Sequence, residues 1–373
     1  MRYQTIFRMF RRFVLSILLL AAAAPSFACT TAIISAKASA TGHPLMWKQR
    51  DTSAGYNYMD WFPATDSTYS FTGVVNTKDE ARESVWCGSN EVGLSIMNSV
   101  AYGLSPIITD DRPYEGMVMK KALETCRTVD EFETLLKNLP QPNGLETNFG
   151  VIDAEGGAAY FETHDLGYTR FNVDDAPEGY LIRSNWSFTG REGEGKGYDR
   201  YDVAAAKMAA HTGGFTPEWI LDELGRDPLI ARKTTVSSVV FEGVISGERA
   251  DATVMWSIVG YTPFCYAIPV WVAARNRIPG PLRHSAIQGS RQNELAKAAL
   301  EKYGDIEPDV PLSAGQSLLL NNVRVEESIA IGPARLIDER MRRKGADMLA
   351  ISAINELIEK RFDEFVEKYY PQH

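Results

Sequence analysis

The stretch that decides the fold is Ser26-Phe27-Ala28-Cys29-Thr30-Thr31-Ala32-Ile33-Ile34-Ser35. Two kinds of sequence meet there. Upstream, Arg2, Arg8, Arg11 and Arg12 flank an apolar run over residues 13–24. A basic start, a short apolar stretch and small residues at Ser26 and Ala28 read as a secretory signal peptide over residues 1–28. Cleavage after Ala28 makes Cys29 the first residue of the exported chain. Downstream, Thr30–Ser35 is a β-branched run that reads as a strand.

An N-terminal cysteine carries a thiol and a free α-amine on one residue. An unassisted thiol has a pKa of about 8.5, and an α-amine titrates near ~8. The amine can take the thiol proton and later return it to a leaving amine, so no His or Asp partner is needed. Other readings of Cys29 are a disulfide partner, an unremarkable residue near a slightly different cut, or a lipidated cysteine. The last wants Leu about three residues upstream, where Ser26 stands, and a small residue where bulky Phe27 stands.

Composition narrows the function. The chain has 373 residues, no low-complexity tract and a formal net charge of -9. The signal segment holds four of the arginines and no acid, so the exported part is more negative still. That argues against nucleic acid and anionic membrane surfaces as partners. The apolar run at residues 13–24 is too short to span a bilayer, so membrane insertion of the mature chain is not expected. The predicted location is periplasmic or secreted. Cys29, Cys87, Cys126 and Cys265 fit no zinc or redox spacing. If Cys29 is catalytic, at most one disulfide can form among the others, and burial as small hydrophobes is an equal alternative. The five histidines are scattered, so no metal site and no cofactor is expected.

After the first strand, Thr41–Pro44 reads as a turn and Leu45–Asp51 as a second strand, completing a hairpin. Lys48, Arg50 and Asp51 could hold the α-amine and tune the thiolate, or form an exposed salt bridge. Residues 54–62 read as an aromatic loop, whose Tyr56, Tyr58, Trp61 and Phe62 could line an apolar pocket or pack on the core. A turn at Cys87–Glu91 leads to a strand over Val92–Ser99 containing Asn98, a candidate oxyanion donor or a turn residue. Residues 114–139 read as a helical pair, with a capping box at Thr128–Glu131. Asn148–Asp153 and Ala158–Thr163 read as a hairpin, and Tyr180–Asn185 as a strand.

The run Gly190–Lys196 matches the start of a phosphate-binding loop. Gly197 stands where that loop needs Ser or Thr, and two Glu would sit in the phosphate cradle, so it reads as a flexible loop. A helix follows from about Tyr198 to Ala210, with Arg200 near its start. Strands are read over Val236–Glu242 and Thr253–Val259. The remainder, from about residue 287, reads as mainly helical. Ile354, Leu357, Ile358, Phe362 and Phe365 mark one apolar face, and Leu318–Val325 could be either type. No linker divides residues 29–373.

Taken together, the segments resemble the N-terminal-nucleophile (Ntn) hydrolases of the choloylglycine hydrolase and linear-amide type, related to the penicillin acyltransferases. Cys29-Thr30-Thr31 resembles the family's opening. Lys48-Gln49-Arg50-Asp51 stands where the family has Arg-Asn-x-Asp. Gly93–Asn98, Ser184-Asn185, Arg200, Thr235–Val240 and Gly260–Pro263 are similar to its later motifs. The resemblance runs from Cys29 to about Ala274. It implies an α+β, four-layer αββα sandwich of two antiparallel sheets. It also implies an amidohydrolase acting on a small-molecule acyl amide through a Cys29 thioester. Asn98 would serve the oxyanion, Asn185 and Asp51 would orient the α-amine, and Arg200 would hold Asp51 or the thiolate's surroundings. Either Lys48 or Arg50 would take the family's Arg role. Trp186, directly after Asn185, joins the candidates for the substrate pocket. An acyltransferase or dipeptidase of the same design stays open, as does a non-catalytic exported binding protein or lipoprotein. Homo-oligomer formation is also open.

Overall fold

The computed structural model describes residues 28–104, 114–285 and 288–370. Apart from Ala28, the signal-peptide reading lies outside the described residues.

Two antiparallel sheets stack face to face. The first has six strands: β1 (Ala28–Ile34), β2 (Leu45–Asp51), β10 (Tyr180–Arg183), β11 (Thr235–Glu242), β12 (Val254–Ile258) and β13 (Ile268–Trp271). Their order is β10-β1-β2-β11-β12-β13. The second is a seven-stranded meander in chain order: β3 (Asn57–Phe62), β4 (Phe71–Asn76), β5 (Cys87–Asn90), β6 (Ser95–Val100), β7 (Thr147–Ile152), β8 (Ala158–His164) and β9 (Gly167–Asn172). The expected hairpin of the first two strands is present, with Cys29 opposite Arg50 and Thr31 opposite Lys48.

Side chains alternate across a strand, so Cys29, Thr31 and Ile33 share one face of β1. That face meets the second sheet. Tyr160 of β8 donates to the Thr31 hydroxyl at 2.9 Å. A Cβ on Gly150 of β7 would lie within 3.2 Å of Ile33, Met97 and Tyr160 together, so glycine lets the sheets close there. The opposite face of the first sheet is covered by α3 (Tyr198–Ala210), a helical segment over residues 217–224, α4 (Arg291–Tyr303), α5 (Ala314–Lys344) and α6 (Met348–Tyr369). The outer face of the second sheet packs on α1 (Tyr114–Thr125) and α2 (Val129–Lys137), where Phe132 meets Phe149 and Phe161 edge-on. The layers are therefore αββα.

Several local expectations change. Cys87–Asn90 is a strand, not a turn. Gly88 pairs with Gly73 and lies under Leu123 of α1, so small residues are needed for the helix to approach. Residues 57–62 are the edge strand β3 rather than a loop, paired with β4 from Asn57 to Phe62. Residues 318–325 lie within α5, whose start is closed by a capping box of Ser313 and Gln316. Leu357 is exposed, and Ile351 takes its place on the buried face of α6. All four cysteines are buried and unbridged. No described helix is long and apolar enough to cross a membrane.

Candidate active site

Strand β2 ends in Lys48-Gln49-Arg50-Asp51, four polar residues that are all buried. Three can ionise, and burying an ion costs several kcal/mol unless it is compensated, on the order of ~3–5 when left unpaired. The compensation reveals the site. Lys48 and Arg50 share the inter-sheet face with Cys29, while Gln49 and Asp51 share the helix-facing side with Thr30.

On the inter-sheet side, the Lys48 ammonium donates to the Trp86 carbonyl and to Asn98 Oδ1, both at 2.6 Å. The Asn98 amide nitrogen donates to the Thr147 hydroxyl at 3.2 Å. Arg50 bonds the Asn57 side chain through Nη1 and lies over the Trp86 ring at 4.6 Å. Its Nη2 is buried with no partner among the described residues. Burial pulls Lys48 down to about 8, against the opposing influence of Cys29. It pulls Arg50 down to about 10 in the same way. Burial pushes Cys87, on facing strand β5, up to about 11, so that thiol stays protonated near neutral pH.

The backbone of Cys29 is held from the other side. Its nitrogen donates to Asn185 Oδ1 at 2.6 Å. That oxygen also accepts from Arg200 Nη2 at 2.7 Å, and the Asn185 amide nitrogen donates to the Val100 carbonyl at the end of β6 at 3.1 Å. Arg200 further donates to the Cys29 carbonyl and to the Thr30 hydroxyl. Burial lowers the Arg200 pKa, while Asp51 and Cys29 act to raise it. With Arg200 on Oδ1, the Asn185 amide has one sensible orientation, and an acceptor faces the Cys29 nitrogen. No described residue hydrogen-bonds the Cys29 thiol.

The glycine-rich loop has a positional meaning that the sequence reading missed. Gly197 has φ +74°, and a Cβ there would sit 2.1 Å from Arg200 Nη2. A Cβ on Gly195 would sit 2.1 Å from that of Trp186. The loop lies directly on the residues that grip Cys29 and Asn185, and the Lys196 amide donates to the Asn185 carbonyl at 2.8 Å.

The expected site residues therefore fall into groups. Cys29, Asn185 and Arg200 form one hydrogen-bonded unit, Lys48 and Asn98 form a second, and Arg50 lies opposite Cys29. Asp51 makes no hydrogen bond to the Cys29 nitrogen, whose acceptor is Asn185. Its carboxylate accepts from Thr235 at 2.6 Å and from Arg232. Burial pushes its pKa up, and Arg232 and Thr235 oppose this. Arg200 makes no hydrogen bond to Asp51; its Nη1 and Nη2 bond β1 and Asn185, and its Nε is buried with no partner among the described residues. Arg232 escaped the sequence reading because nothing marks it before β11 is placed beside β2. A bulge between Thr235 and Ser237 then turns the start of β11 toward Asp51.

The aromatic candidates scatter. Tyr58 and Phe62 point into the core under α1, where Phe62 stacks on Phe71 at 4.4 Å. Tyr58 and Trp61 line a surface cavity of about 420 Å³ with Arg82, Arg283 and His284. Tyr56 lines another, of about 520 Å³, beside Leu295 and Phe362. Cys29 lines neither cavity, so the pocket expected from this stretch is not gathered around the nucleophile. Trp186 stacks on Phe188 at 4.2 Å beside Tyr198, next to Asn185. Among the described residues no cluster of His, Cys, Asp and Glu is arranged to hold a metal ion.

No protein-family model matches the sequence, and no curated protein matches it. Solved structures do. An N-acylethanolamine-hydrolyzing acid amidase ortholog from Caenorhabditis elegans aligns at 16% identity over 57% of this chain and 92% of its own, with a TM-score of 0.44. A variant of conjugated bile acid hydrolase from Clostridium perfringens aligns at 11% identity over 66% and 94%, with a TM-score of 0.46. Penicillin V acylase from Agrobacterium tumefaciens aligns at 14% identity over 65% and 85%, with a TM-score of 0.42.

Proposed function

We propose that this chain is an exported cysteine amidohydrolase of linear acyl amides, active once Cys29 is the first residue. The observation that carries this reading is the grip on the Cys29 backbone. In the uncut chain its nitrogen is an amide hydrogen bonded to Asn185 Oδ1. With Ala28 removed, the same acceptor faces an amine and leaves its lone pair for the neighbouring thiol. A site built only to pack a cysteine has no need of a buried arginine on that residue's carbonyl.

The steps balance within this residue set. The α-amine takes the thiol proton, and the thiolate forms a C–S bond to the amide carbon. An N–H of Asn98 serves the resulting oxyanion. The ammonium returns its proton to the leaving nitrogen as the C–N bond breaks, which leaves a thioester on Cys29. Water, deprotonated by the same amine, releases the acid and restores the thiol. The acceptor is water in this reading; an amine acceptor would make the protein an acyltransferase.

Intact mass and N-terminal sequencing of the exported protein test the premise, with Cys29 bearing a free amine as the expected result. A panel of acyl amides and dipeptides, followed by mass spectrometry for a thioester on Cys29, tests the chemistry. A lipidated Cys29, or a chain that starts elsewhere, removes the base and overturns the proposal. Location outside the cytoplasm is part of the proposal and is read by the same isolation.

A further inference from the structure

We propose that Lys48 is the positioning residue for the Asn98 amide: its ammonium holds Oδ1 and so fixes which end of that amide is presented to the reacting carbonyl. This rests on the reading of Asn98 as the oxyanion donor. An Asn amide has two ends of nearly equal size, one accepting and one donating, and a site that serves an anion needs the donating end. An ammonium has donors only, so it can face Oδ1 and not the NH2 group. Lys48 Nζ meets Oδ1 at 2.6 Å, and the Trp86 carbonyl holds the same nitrogen at 2.6 Å. One Asn98 N–H donates to the Thr147 hydroxyl, which itself donates to the Ser99 carbonyl at 2.9 Å. The second N–H is bonded to no described residue and is the one available to an oxyanion.

The device works only while Lys48 is protonated. A neutral amine can accept as well as donate, so both amide orientations become compatible with it. In the flipped one, Oδ1 opposes the oxyanion. The groups that face Lys48 are Cys29 on β1, Arg50 on its own strand, Cys87 on β5 and Glu115 on α1. Burial sets the dominant tendency and brings the deprotonation within reach of mildly alkaline pH. An arginine at this position, as in the motif the sequence resembles, stays charged there.

The test has a readout that needs no substrate. In protein labelled with 15N-asparagine, the Asn98 side-chain NH2 signals are assigned by their loss in Asn98→Ala and followed from pH 6.5 to about 10. We expect a shift with a midpoint near 8 in the wild type, and none in Lys48→Arg. An Asn98 signal that does not move in the wild type overturns the inference, whatever the variants do. With an amide substrate, Lys48→Met should lower kcat by on the order of 10²-fold with KM nearly unchanged, the loss typical of one misdirected oxyanion donor. The alkaline fall in kcat should move to higher pH in Lys48→Arg. A loss confined to KM, or an unmoved alkaline limb, overturns it. If Asn98 titrates as described but no acyl amide is cleaved, the positioning stands and the amidase reading fails.

Discussion

Two of the regions in which the protein buries charge compensate it differently. Against the helical layer of the first sheet, guanidinium meets carboxylate. Arg226 bonds both oxygens of Glu327, at 3.0 and 2.6 Å. Arg342 meets Asp338 at 2.7 Å and Glu248 at 3.2 Å, and Arg335 reaches Glu218 and Glu242. At the nucleophile end, Lys48, Arg50 and Arg200 are bonded only to amides, hydroxyls and carbonyls. Burial pulls down the pKa values of Arg226, Arg335 and Arg342, but their carboxylates carry them above the ordinary value. Lys48, Arg50 and Arg200 stay below theirs. Paired charge fastens helices to a sheet. Cations left with neutral partners keep a positive field beside Cys29, where a thiolate and an oxyanion must form.

The largest expected effect breaks the paired region. Glu327→Ala leaves Arg226 in the core with only the longer contact to Asp222 at 3.6 Å and the Cys265 carbonyl, and removes an acceptor from the Ala267 amide. Loss of one partner from a buried pair costs about 3–5 kcal/mol. Urea unfolding should show that loss, while kcat per folded molecule stays unchanged. The paired double variant Arg226→Met/Glu327→Leu should recover most of it. If Glu327→Ala costs under about 1 kcal/mol, the two regions do not differ as argued.

A smaller effect sharpens the other side of the comparison. Lys48 has a folded-state pKa of about 8 against an ordinary 10.5. Between those values the unfolded chain binds a proton that the folded one does not, so wild-type stability rises with pH across that window. Lys48→Met lacks this linkage. The wild type should therefore gain about 3 kcal/mol on the variant between pH 8 and 10.5, at 1.36 kcal/mol per unit. Below pH 8 the difference should be flat. A difference that stays flat throughout would show that Lys48 is charged at ordinary alkaline pH.

Much of this was legible in the chain and some of it was not. The β-branched run after Cys29 and the turn at Thr41–Pro44 mark the first hairpin, because local preference and tertiary use agree there. Cys87–Asn90 misled, since Gly, Ser and Asn favour turns. They form a strand because a helix must approach over Gly88. The end of β2 misled differently. Polar residues at a strand end are usually wet, and burial of Lys48 through Asp51 depends on segments as separate in the chain as Asn57, Trp86, Asn98 and Thr235. Asn185 and Arg200 were legible as types in a familiar order. Their bonds to the Cys29 nitrogen and carbonyl, and the pairing of Asp51 with Arg232 and Thr235, exist only once the sheets are stacked.

The smallest expected effect separates strain from contact at the site. Gly193 and Gly197 belong to one loop and have nearly equal left-handed φ values, +76° and +74°. A Cβ at residue 193 meets nothing within 4 Å, whereas one at 197 lies 2.1 Å from Arg200 Nη2. Ala at either position carries the same backbone cost, roughly 1 kcal/mol of stability, because an L side chain is disfavoured there. Only Gly197→Ala also pushes Arg200 off the Cys29 carbonyl and Asn185. We therefore expect a lower midpoint in thermal unfolding for Gly197→Ala than for Gly193→Ala, and a kcat per folded molecule about 10-fold lower in Gly197→Ala alone, the equivalent of about 1.4 kcal/mol in the barrier. Equal activities would mean that Arg200 can leave its partners without consequence. The neutral-partner cations would then be a packing solution, and the contrast with the paired helices would lose its functional meaning.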